Sequence, residues 1–359
     1  MSDGILGVVI DPALFQENQR TAPASDDRQF MEVGPLNCER GGVLDSVTVA
    51  YETWGKLNEA RDNAIVVCHA LSGDAHAIGW WDRLIGAGKA IDTDRFFVIG
   101  TNALGGCQGT TGPSTFSREG RPYGSRFPRV TVGDMVEVQR RLVAELGIEI
   151  LHAVAGGSMG GMTALEWSRP HALGVRKAWI TASARAHSAM QIGFNEASRQ
   201  AIMRDPKWRG GDYPLDDQPT GGLAVARMIG HISFLSEAAY EAKFGRRIQT
   251  GSEGQFQVES YLNYQGDKFT TRFDANSLLV LTRAIDDYEL TTFDGSSTEF
   301  LFTSFTSDWI YPPHQSRTLH EMALGAGCQS EWHNIDLPYG HDAFLLDGEL
   351  QGELVRAFL

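Results

Sequence analysis

A single serine flanked by glycines lies in the middle of the chain, in the run AVAGGSMGGM at residues 153–162. Apolar residues precede the glycines and a helical pattern follows them, so the run predicts a strand, a sharp turn and a helix. Gly156-x-Ser158-x-Gly160 is the spacing of a nucleophile elbow, a turn so tight that only glycine fits two residues before and after the serine. Such a turn aims the hydroxyl away from the sheet and points the first N–H groups of the helix at the same place. A strand–turn–helix without chemistry is the alternative interpretation.

Short apolar segments on both sides of this run alternate with helical patterns. Strands are predicted at residues 43–51, 64–69, 95–101, 178–183, 299–303 and 332–337. A helix is predicted at residues 131–146, where Gly147 ends it. Strands buried on both faces of a parallel sheet have short, nearly continuous apolar sequences of this kind. The pattern therefore predicts a mainly parallel sheet with helices on both faces, and the serine turn makes it an α/β-hydrolase fold.

Residues 186–288 differ from the rest of the chain. They contain amphipathic helical patterns, at 221–235 and 238–244, and few strand-like runs. We expect residues 186–295 to form an inserted helical lid domain above the carboxyl ends of the strands, where ligands bind in open α/β sheets. Residues 1–185 and 296–359 then form the core. Helices packed on the back of the sheet are the alternative.

Charge and composition exclude several classes of partner. The net charge of −14 argues against nucleic acid, because phosphate binding needs a basic face. No apolar run reaches the ~20 residues of a membrane helix, and residues 1–25 lack the pattern of a secretory signal. Cys38, Cys68, Cys107 and Cys328 form no C-x-x-C pair, which argues against disulfides and a zinc site. We therefore expect a cytoplasmic protein that binds neither membrane nor metal.

A nucleophilic serine needs a base, and the base needs an orienting carboxylate. In α/β-hydrolases both follow the serine along the chain, the acid first and the histidine last, each in a loop after a strand. Among ten histidines, His341 lies in the segment PYGHD at residues 338–342, after the last predicted strand. His187, His231 and His333 are more easily explained as ordinary core or surface residues. His341 is therefore the predicted base.

The orienting acid is predicted to be Asp308. It follows the apolar strand that ends near Phe305 and precedes two prolines, which places it in a loop at the carboxyl edge of the sheet. Asp336 lies in or at the end of the last strand and is the weaker candidate. Ser158, Asp308 and His341 together satisfy the required chain order and positions.

A tetrahedral intermediate also needs hydrogen-bond donors for its oxyanion. The N–H group of Met159, directly after the serine, is one expected donor. The second is expected from the loop at residues 69–74, where the N–H group of Leu71 is the candidate.

A second glycine-rich segment, GGCQGTTGPS at residues 105–114, resembles a phosphate cradle only superficially. It lacks the Gly-Lys-Ser/Thr ending of a P-loop, and proline follows it where a helix is needed. We interpret it as a tight loop that lines the tunnel to the active site. Cys107 within it is not expected to be a second nucleophile.

Segments over nearly the whole chain resemble the homoserine O-acetyltransferase family. The matching segments are HALSGDAH (69–76), GWWD (79–82), GGCQGTTGP (105–113), AGGSMGGM (155–162), AHSAMQI (186–192), GLAVARMIGH (222–231), ESYL (259–262), RFDAN (272–276) and GHDAF (340–344). The resemblance implies acyl transfer from an acyl-CoA to homoserine on the route to methionine, with acetyl-CoA as co-substrate and no bound cofactor. It also implies a homodimer in which the helical lid mediates the contact.

The resemblance also implies two substrate-binding residues. Homoserine is a zwitterion, so a selective site needs a cation for its carboxylate and an anion for its ammonium group. Arg227 matches the family's carboxylate-binding arginine, and Asp342 matches the residue that faces the amino group. Without this resemblance, Arg227 is explained as a surface charge of a helix and Asp342 as a cap of the last helix.

Together these features predict a ping-pong reaction through an acyl-serine. Succinyl-CoA as donor, or serine as acceptor, are alternatives with the same chemistry; the GCQGTTG and GSMG segments look more like those of the acetyl-using relatives. An esterase or thioesterase is a further alternative, against which Arg227 and Asp342 argue. A non-catalytic binding protein on this fold is the remaining one.

Overall fold

Eight strands form one sheet at the centre of the part of the chain that the structure describes. The structure is a computed structural model that describes residues 27–359, so the expectation about residues 1–25 lies outside the described residues. In spatial order the strands are β1 (Gln29–Glu32), β4 (Thr48–Trp54), β8 (Phe97–Thr101), β5 (Ala64–Cys68), β9 (Ile150–Gly157), β10 (Gly174–Thr181), β11 (Glu299–Phe305) and β12 (Ser330–Ile335). Strands β1 and β8 run antiparallel to β4, and every other neighbouring pair is parallel. The predicted mainly parallel sheet is confirmed.

The segment predicted as one strand at residues 43–51 forms two. β3 (Val43–Leu44) pairs with β2 (Leu36–Asn37) in a separate small sheet, whereas β4 joins the main sheet. A third sheet pairs β6 (Ile85–Gly86) with β7 (Ile91–Asp92). The single-strand prediction was wrong because an alternating pattern shows which residues are buried but not which partner each half pairs with.

Helices cover the sheet and follow its strands. They are α1 (Ala77–Trp80), α2 (Val132–Glu145), α3 (Met159–Trp167), α4 (Ala189–Met203), α5 (Thr220–Phe234), α6 (Glu237–Lys243), α7 (Gln257–Thr270), α8 (Ala275–Asp286), α9 (Pro313–Gly325), α10 (Ala343–Leu346) and α11 (Leu350–Phe358), with 3₁₀ turns at Gly124–Arg126, Pro206–Gly211 and Gly340–Asp342. Thr131 and Asp134 form a capping box at the start of α2, and Gly147 follows its end with a φ of +74°. The helix predicted at residues 131–146 is confirmed. Within residues 27–359, each helix is too short or too polar to cross a bilayer.

Alternate residues of the central strand β5 pack on opposite faces of the sheet. Val66 belongs to the core shared with α2 and α3, whereas Ile65 and Val67 belong to a second core around Trp81 and Trp179. The two indole rings stack with centroids 4.8 Å apart. The sheet is therefore covered on both faces, as predicted, which explains the continuous apolar sequence of β5.

Between β10 and β11 the chain forms five helices, α4 to α8, and adds no strand to the main sheet. Helix α5 packs against α4 and α7, while α8 contributes Leu278 and Leu281 to the core of the sheet. The predicted limits of the inserted domain, residues 186–295, remain a prediction.

Candidate active site

Ser158 occupies the bend between β9 and α3 with a φ of +57°, in the left-handed region that side chains rarely adopt. A Cβ atom on Gly156 would overlap the carbonyl oxygen of Gly160. A Cβ atom on Gly160 would overlap the carbonyl oxygen of Cys68, at the end of β5. Glycine is thus required at both positions by close backbone approach, and the expected elbow geometry is confirmed.

Hydrogen bonds from three directions fix the backbone at this bend. The Ser158 amide donates to the Thr181 carbonyl at 3.2 Å, which ties the bend to the end of β10. The Ser158 carbonyl accepts from the Gly161 amide at 3.0 Å and from the Ser183 hydroxyl at 2.8 Å. The side chain is therefore held by a rigid backbone although its conformation is strained.

His341 lies in the 3₁₀ turn after β12 and is 4% exposed. Its Nδ1 donates to Oδ2 of Asp308 at 2.7 Å, and that carboxylate is buried. The other oxygen, Oδ1, accepts the amides of Ile310 at 3.0 Å and Tyr311 at 2.8 Å. The phenol ring of Tyr311 stacks on the imidazole, with centroids 4.8 Å apart. Carboxylate and imidazole are thus both held in one orientation.

Ser158 and His341 line one cavity above the carboxyl ends of β5 and β9, and Asp308 lies directly behind the imidazole. Ser158 and Asp308 are 150 residues apart along the chain, and Asp308 and His341 are 33 apart. The structure therefore brings together three predicted residues that are distant in sequence. Asp336 accepts a hydrogen bond from Thr306 at 2.7 Å and does not line this cavity. Geometry favours Asp308 as the orienting acid.

Leu71 and Met159 are the two predicted oxyanion donors. Leu71 lies in the loop after β5 and lines the cavity, while Met159 is the first residue of α3. Neither amide has an acceptor among residues 27–359. His69 holds the loop by accepting the Ala103 amide on Nε2 at 3.0 Å and donating from Nδ1 to the Ala70 carbonyl at 2.7 Å. Of the two residues, Leu71 lines the cavity and Met159 does not, and the role of both N–H groups remains a prediction.

Arg227 and Asp342, the predicted substrate residues, line the same cavity. The Arg227 guanidinium donates to the Ser72 hydroxyl at 3.1 Å and lies 4.8 Å from the centre of the Phe269 ring. Burial lowers the pKa of Arg227 to about 10, and the nearby Arg272 lowers it further in the same direction. Burial raises the pKa of Asp342 to about 6, against the opposing effect of His341 and Arg227. Arg227 from α5 and Asp342 from the 3₁₀ turn after β12 therefore place a cation and a carboxylate in the same cavity.

Further polar side chains line this cavity, among them Lys243, Tyr261 and His231, which were not predicted from the sequence to have a role. Burial lowers the pKa of Lys243 to about 8 despite the attraction of Asp342, and its ammonium lies 4.3 Å from the centre of the Tyr261 ring. The Tyr261 hydroxyl is hydrogen-bonded to Nδ1 of His231 at 3.0 Å. Burial, followed by repulsion from Arg227 and Lys243, lowers the pKa of His231 to about 2, so this imidazole is neutral. His231 is buried, as expected of a core residue, and it also lines the cavity; it belongs to the segment GLAVARMIGH, one of those that carry the family resemblance.

The glycine-rich loop at residues 105–114 does not line the cavity, so that prediction was wrong. The loop folds back on itself, and its side chains contact the chain at Arg272 and Asp274 from outside. The Arg272 side chain does reach the cavity, where its guanidinium donates to the Ser72 carbonyl at 2.7 Å. The loop therefore supports a cavity residue without touching the ligand space. All four cysteines are unpaired, and no three His, Cys, Asp or Glu side chains of residues 27–359 are grouped to hold a metal ion.

Comparisons with known proteins bear on the fold and the family of the chain. The family model of the α/β-hydrolase fold matches residues 63–347. A homoserine O-acetyltransferase of Solidesulfovibrio magneticus is 47% identical over 353 residues, which cover 90% of this chain and 89% of that protein.

The chain belongs to the homoserine O-acetyltransferase family. Its structure is also similar to that of a homoserine O-acetyltransferase from Bacillus anthracis, with a TM-score of 0.85 and 27% identity over 92% of this chain and 96% of that one. Esterase E22 is similar to the same extent, with a TM-score of 0.85 and 27% identity over 92% of this chain and 99% of its own. This family member is therefore an enzyme of the α/β-hydrolase fold, and its architecture is shared with an esterase.

Proposed function

We propose that the enzyme transfers the acetyl group of acetyl-CoA to the hydroxyl of L-homoserine, giving O-acetyl-L-homoserine and CoA. The observation that carries the proposal is the Asp308–His341 pair, at 2.7 Å, in one cavity with Ser158, Arg227 and Asp342. The names of the relatives at 47% identity support the acetyl group and the acceptor. The family resemblance supports a place for the product on the route to methionine.

The first step is acylation of Ser158. His341 takes the hydroxyl proton on Nε2 while Oγ attacks the thioester carbonyl, and the N–H groups of Leu71 and Met159 donate to the oxyanion. The carbon–sulfur bond then breaks, and the proton passes from His341 to the departing CoA thiolate. Asp308 keeps Nδ1 protonated throughout, so Nε2 is the nitrogen that accepts the proton.

The second step returns the acyl group to an alcohol. Homoserine binds with its carboxylate at Arg227 and its ammonium group at Asp342, which presents its hydroxyl to His341. His341 takes that proton, the new ester bond forms, and Ser158 leaves with the proton from His341. Each charge-assisted hydrogen bond contributes about 1.5–3 kcal/mol, so the two charges favour homoserine over uncharged alcohols and over water.

A matrix of acetyl-CoA and succinyl-CoA against L-homoserine and L-serine tests the substrates, with thiol release as the readout. The combination of acetyl-CoA and L-homoserine is expected to be fastest. A faster reaction with succinyl-CoA or with serine would show that the substrate assignment, though not the chemistry, is wrong. Rapid quench after mixing with acetyl-CoA alone should give one acetyl group on the peptide that contains Ser158.

Ester hydrolysis is the second candidate, because esterase E22 has the same architecture at a TM-score of 0.85. The charged pair Arg227 and Asp342 argues against it, since a plain ester gives neither charge a partner. Release of free acetate at one rate with and without homoserine would favour hydrolysis. Acetate release that homoserine suppresses, with matching formation of O-acetylhomoserine, would exclude it.

The homoserine half-reaction is expected to lose efficiency below about pH 6, because burial raises the pKa of Asp342 to about 6. Asp342 is anionic above its pKa and neutral below it, so acid removes the partner of the ammonium group. In a ping-pong reaction, kcat/KM for each substrate reports its own half-reaction, and His341 serves both. The ratio of kcat/KM for homoserine to that for acetyl-CoA should therefore fall by up to about tenfold per pH unit below the pKa. In Asp342→Asn the ratio should be low at every pH, and a pH-independent ratio in the wild-type enzyme would contradict the role of Asp342.

We also propose that the enzyme is a homodimer joined through α5 and α7. Val225 and Ile232, seven residues apart on one face of α5, are 46% and 47% exposed, and Tyr264 on α7 is 53% exposed. Sedimentation is expected to give twice the chain mass of 39.4 kDa. Glutamate at both Val225 and Ile232 should shift the species to a monomer, whereas Val43→Glu, at an exposed site in β3, should not. A monomeric wild-type enzyme would contradict the proposal.

Two further proposals concern the surroundings of the reaction. We propose that residues 186–295 act as a lid, since Arg227, Tyr261 and Phe269 from its helices line the cavity together with the loop after β5.

We propose a cytoplasmic location, which the four unpaired cysteines support because a reducing compartment keeps thiols free.

A further inference from the structure

An arginine outside the triad holds the loop that carries one predicted oxyanion donor. Arg272 lies in the turn between α7 and α8 and lines the cavity, where its Nη2 donates to the Ser72 carbonyl at 2.7 Å. The steps of the proposed mechanism do not use Arg272. Its acceptor belongs to residues 70–73, all of which line the cavity, and we call this segment the oxyanion turn.

The oxyanion turn is closed by a hydrogen bond of its own backbone. The Gly73 amide donates to the Ala70 carbonyl at 2.8 Å, which leaves Leu71 at a corner of the turn. Nδ1 of His69 donates to the same carbonyl at 2.7 Å. A Cβ atom on Gly73 would lie 2.8 Å from Cβ of His69, so a larger residue would push the turn away from the end of β5. The turn therefore has one defined backbone conformation.

Two peptide groups connect Arg272 with the N–H group of Leu71. The C=O and N–H of a planar trans peptide point in opposite directions. The Ser72 carbonyl, which accepts from Arg272, belongs to the same peptide group as the Gly73 amide. The Ala70 carbonyl, which accepts from that amide, belongs to the same peptide group as the Leu71 N–H. The hydrogen bonds therefore all run one way, from the guanidinium through two peptide groups to the Leu71 N–H.

The donor end of this series is a cation. Burial lowers the pKa of the Arg272 guanidinium and the nearby Asp74 carboxylate opposes that shift, but an arginine in a protein keeps its proton. Hydrogen bonds in series polarise one another, so a cation that donates to the first carbonyl makes each following N–H a stronger donor. The last N–H of the series is that of Leu71, where an oxyanion develops in the proposed reaction.

The Arg272 side chain is held by contacts on two sides. Its backbone carbonyl accepts from the side-chain amide of Gln108, in the glycine-rich loop. Its guanidinium carbon lies 5.6 Å from the centre of the Phe269 ring, which is 3% exposed. The guanidinium is thus in place before a ligand binds, which is the condition for electrostatic stabilisation without reorganisation.

We propose that Arg272 is a positioning residue of the oxyanion hole, which orients the Leu71 N–H through the oxyanion turn and strengthens it as a donor. The inference rests on the proposed acyl transfer, because it needs the oxyanion that forms when Ser158 attacks the thioester. Arg272 gives up no proton in this role, and the proton transfers stay with His341. Acylation and deacylation pass through an oxyanion at the same place, so both should depend on Arg272.

Stopped-flow release of CoA at increasing acetyl-CoA concentration tests the proposal, because it separates the acylation rate at saturation from Kd. Arg272→Met keeps a long side chain without charge or donor. We expect acylation at saturation to slow about tenfold, less than the about 10²–10³-fold loss that removal of a whole oxyanion donor causes. Kd should not change, since the oxyanion develops only on the way to the transition state. The value of kcat/KM for homoserine should fall by the same factor, and Arg272→Lys, which keeps a charged donor, should recover part of both.

The matched control is Arg141→Met. Arg141 also donates to a backbone carbonyl, that of Pro35 at 2.5 Å, but does not line the cavity, so this variant should acylate at the wild-type rate. All rates are taken per active site, counted from the amplitude of the CoA burst, so a loss of folded enzyme does not imitate a slower reaction. Acylation at the wild-type rate in Arg272→Met would overturn the proposal. A raised Kd at an unchanged rate, or a loss confined to homoserine, would overturn it too, because Arg272 would then bind a substrate directly.

Two further variants keep the test decisive. If Arg272→Met fails to fold, as judged by thermal unfolding, Arg272→Gln replaces it, because the glutamine side chain is too short to reach the Ser72 carbonyl and the same loss is expected. Ser158→Ala separates the two proposals. Release of CoA at the wild-type rate in that variant refutes the acyl-serine and with it the proposed function. An inactive Ser158→Ala beside a fully active Arg272→Met refutes only the role of Arg272.

Discussion

Replacing Ser158 with alanine is expected to lower kcat by about 10⁶-fold, as in other enzymes whose serine nucleophile is removed. Ser158 is the only residue of the proposed mechanism that forms a covalent bond, and neither His341 nor the oxyanion donors can supply another nucleophile. Alanine has the same Cβ as serine, so the φ of +57° at the bend costs no more in the variant. The fold should therefore persist while the chemistry is lost.

The measurement is steady-state thiol release, followed by mass spectrometry of the quenched enzyme, which should show no acetyl group in the variant. Ser168→Ala is the matched control, because Ser168 is a buried serine at the other end of the same helix, where its hydroxyl donates to the Leu165 carbonyl. That control should keep its activity within a factor of about three. A Ser158→Ala enzyme that retains more than about one part in a hundred of kcat would show that Ser158 is not the nucleophile.

Replacing Asp308 with asparagine is expected to lower kcat by about 10⁴-fold, the loss found when the orienting acid of a serine triad becomes an amide. The hydrogen bonds around Asp308 determine how the amide must lie. Oδ1 accepts two backbone amides, from Ile310 and Tyr311, so the oxygen of asparagine must stay on that side. Its NH₂ group then faces Nδ1 of His341, at the position where Oδ2 accepts at 2.7 Å. Nδ1 becomes an acceptor, the proton moves to Nε2, and His341 can no longer take a proton from Ser158.

Asp336→Asn is the control for this prediction, because Asp336 was the competing candidate and bonds to Thr306 instead. It should leave kcat near the wild-type value. If the two variants lose activity equally, or if Asp336→Asn loses more, the acid has been assigned to the wrong loop.

The elbow could be predicted from sequence because its cause is local. At Gly156 and Gly160 a neighbouring backbone segment comes so close that a Cβ atom would overlap it. These two glycines and Ser158 lie within five consecutive residues, so the motif can be recognised from a short stretch of sequence. Asp308 and His341 could be predicted because each follows a strand with a clear apolar sequence, and parallel strands bring their carboxyl ends to one edge. Chain order and strand position together were sufficient to predict Ser158, Asp308 and His341 as a triad, and the structure brings these three residues together.

The hydrogen bonds that join Asp286, His187 and Tyr311 could not be predicted in this way. His187 and Tyr311 are 124 residues apart, and His187 and Asp286 are 99 apart. Asp286 ends a helix, and His187 lies in the loop after β10, but no periodic pattern links either of them to Tyr311. The loop at residues 105–114 was misplaced for a similar reason, since glycine content indicates a tight turn but not what the turn faces.

By itself the sequence determined where this chain turns, which segments are strands or helices, and which serine sits at a strained bend, because steric limits and burial act between residues a few positions apart. Only the tertiary structure decided which buried polar groups meet: the neutral His231 and the charges of Lys243 and Asp342 in one cavity, and the hydrogen bond between His187 and Tyr311. Those contacts depend on how helices from distant parts of the chain pack over the sheet, and a hydrogen bond forms only where packing brings donor and acceptor within about 3 Å.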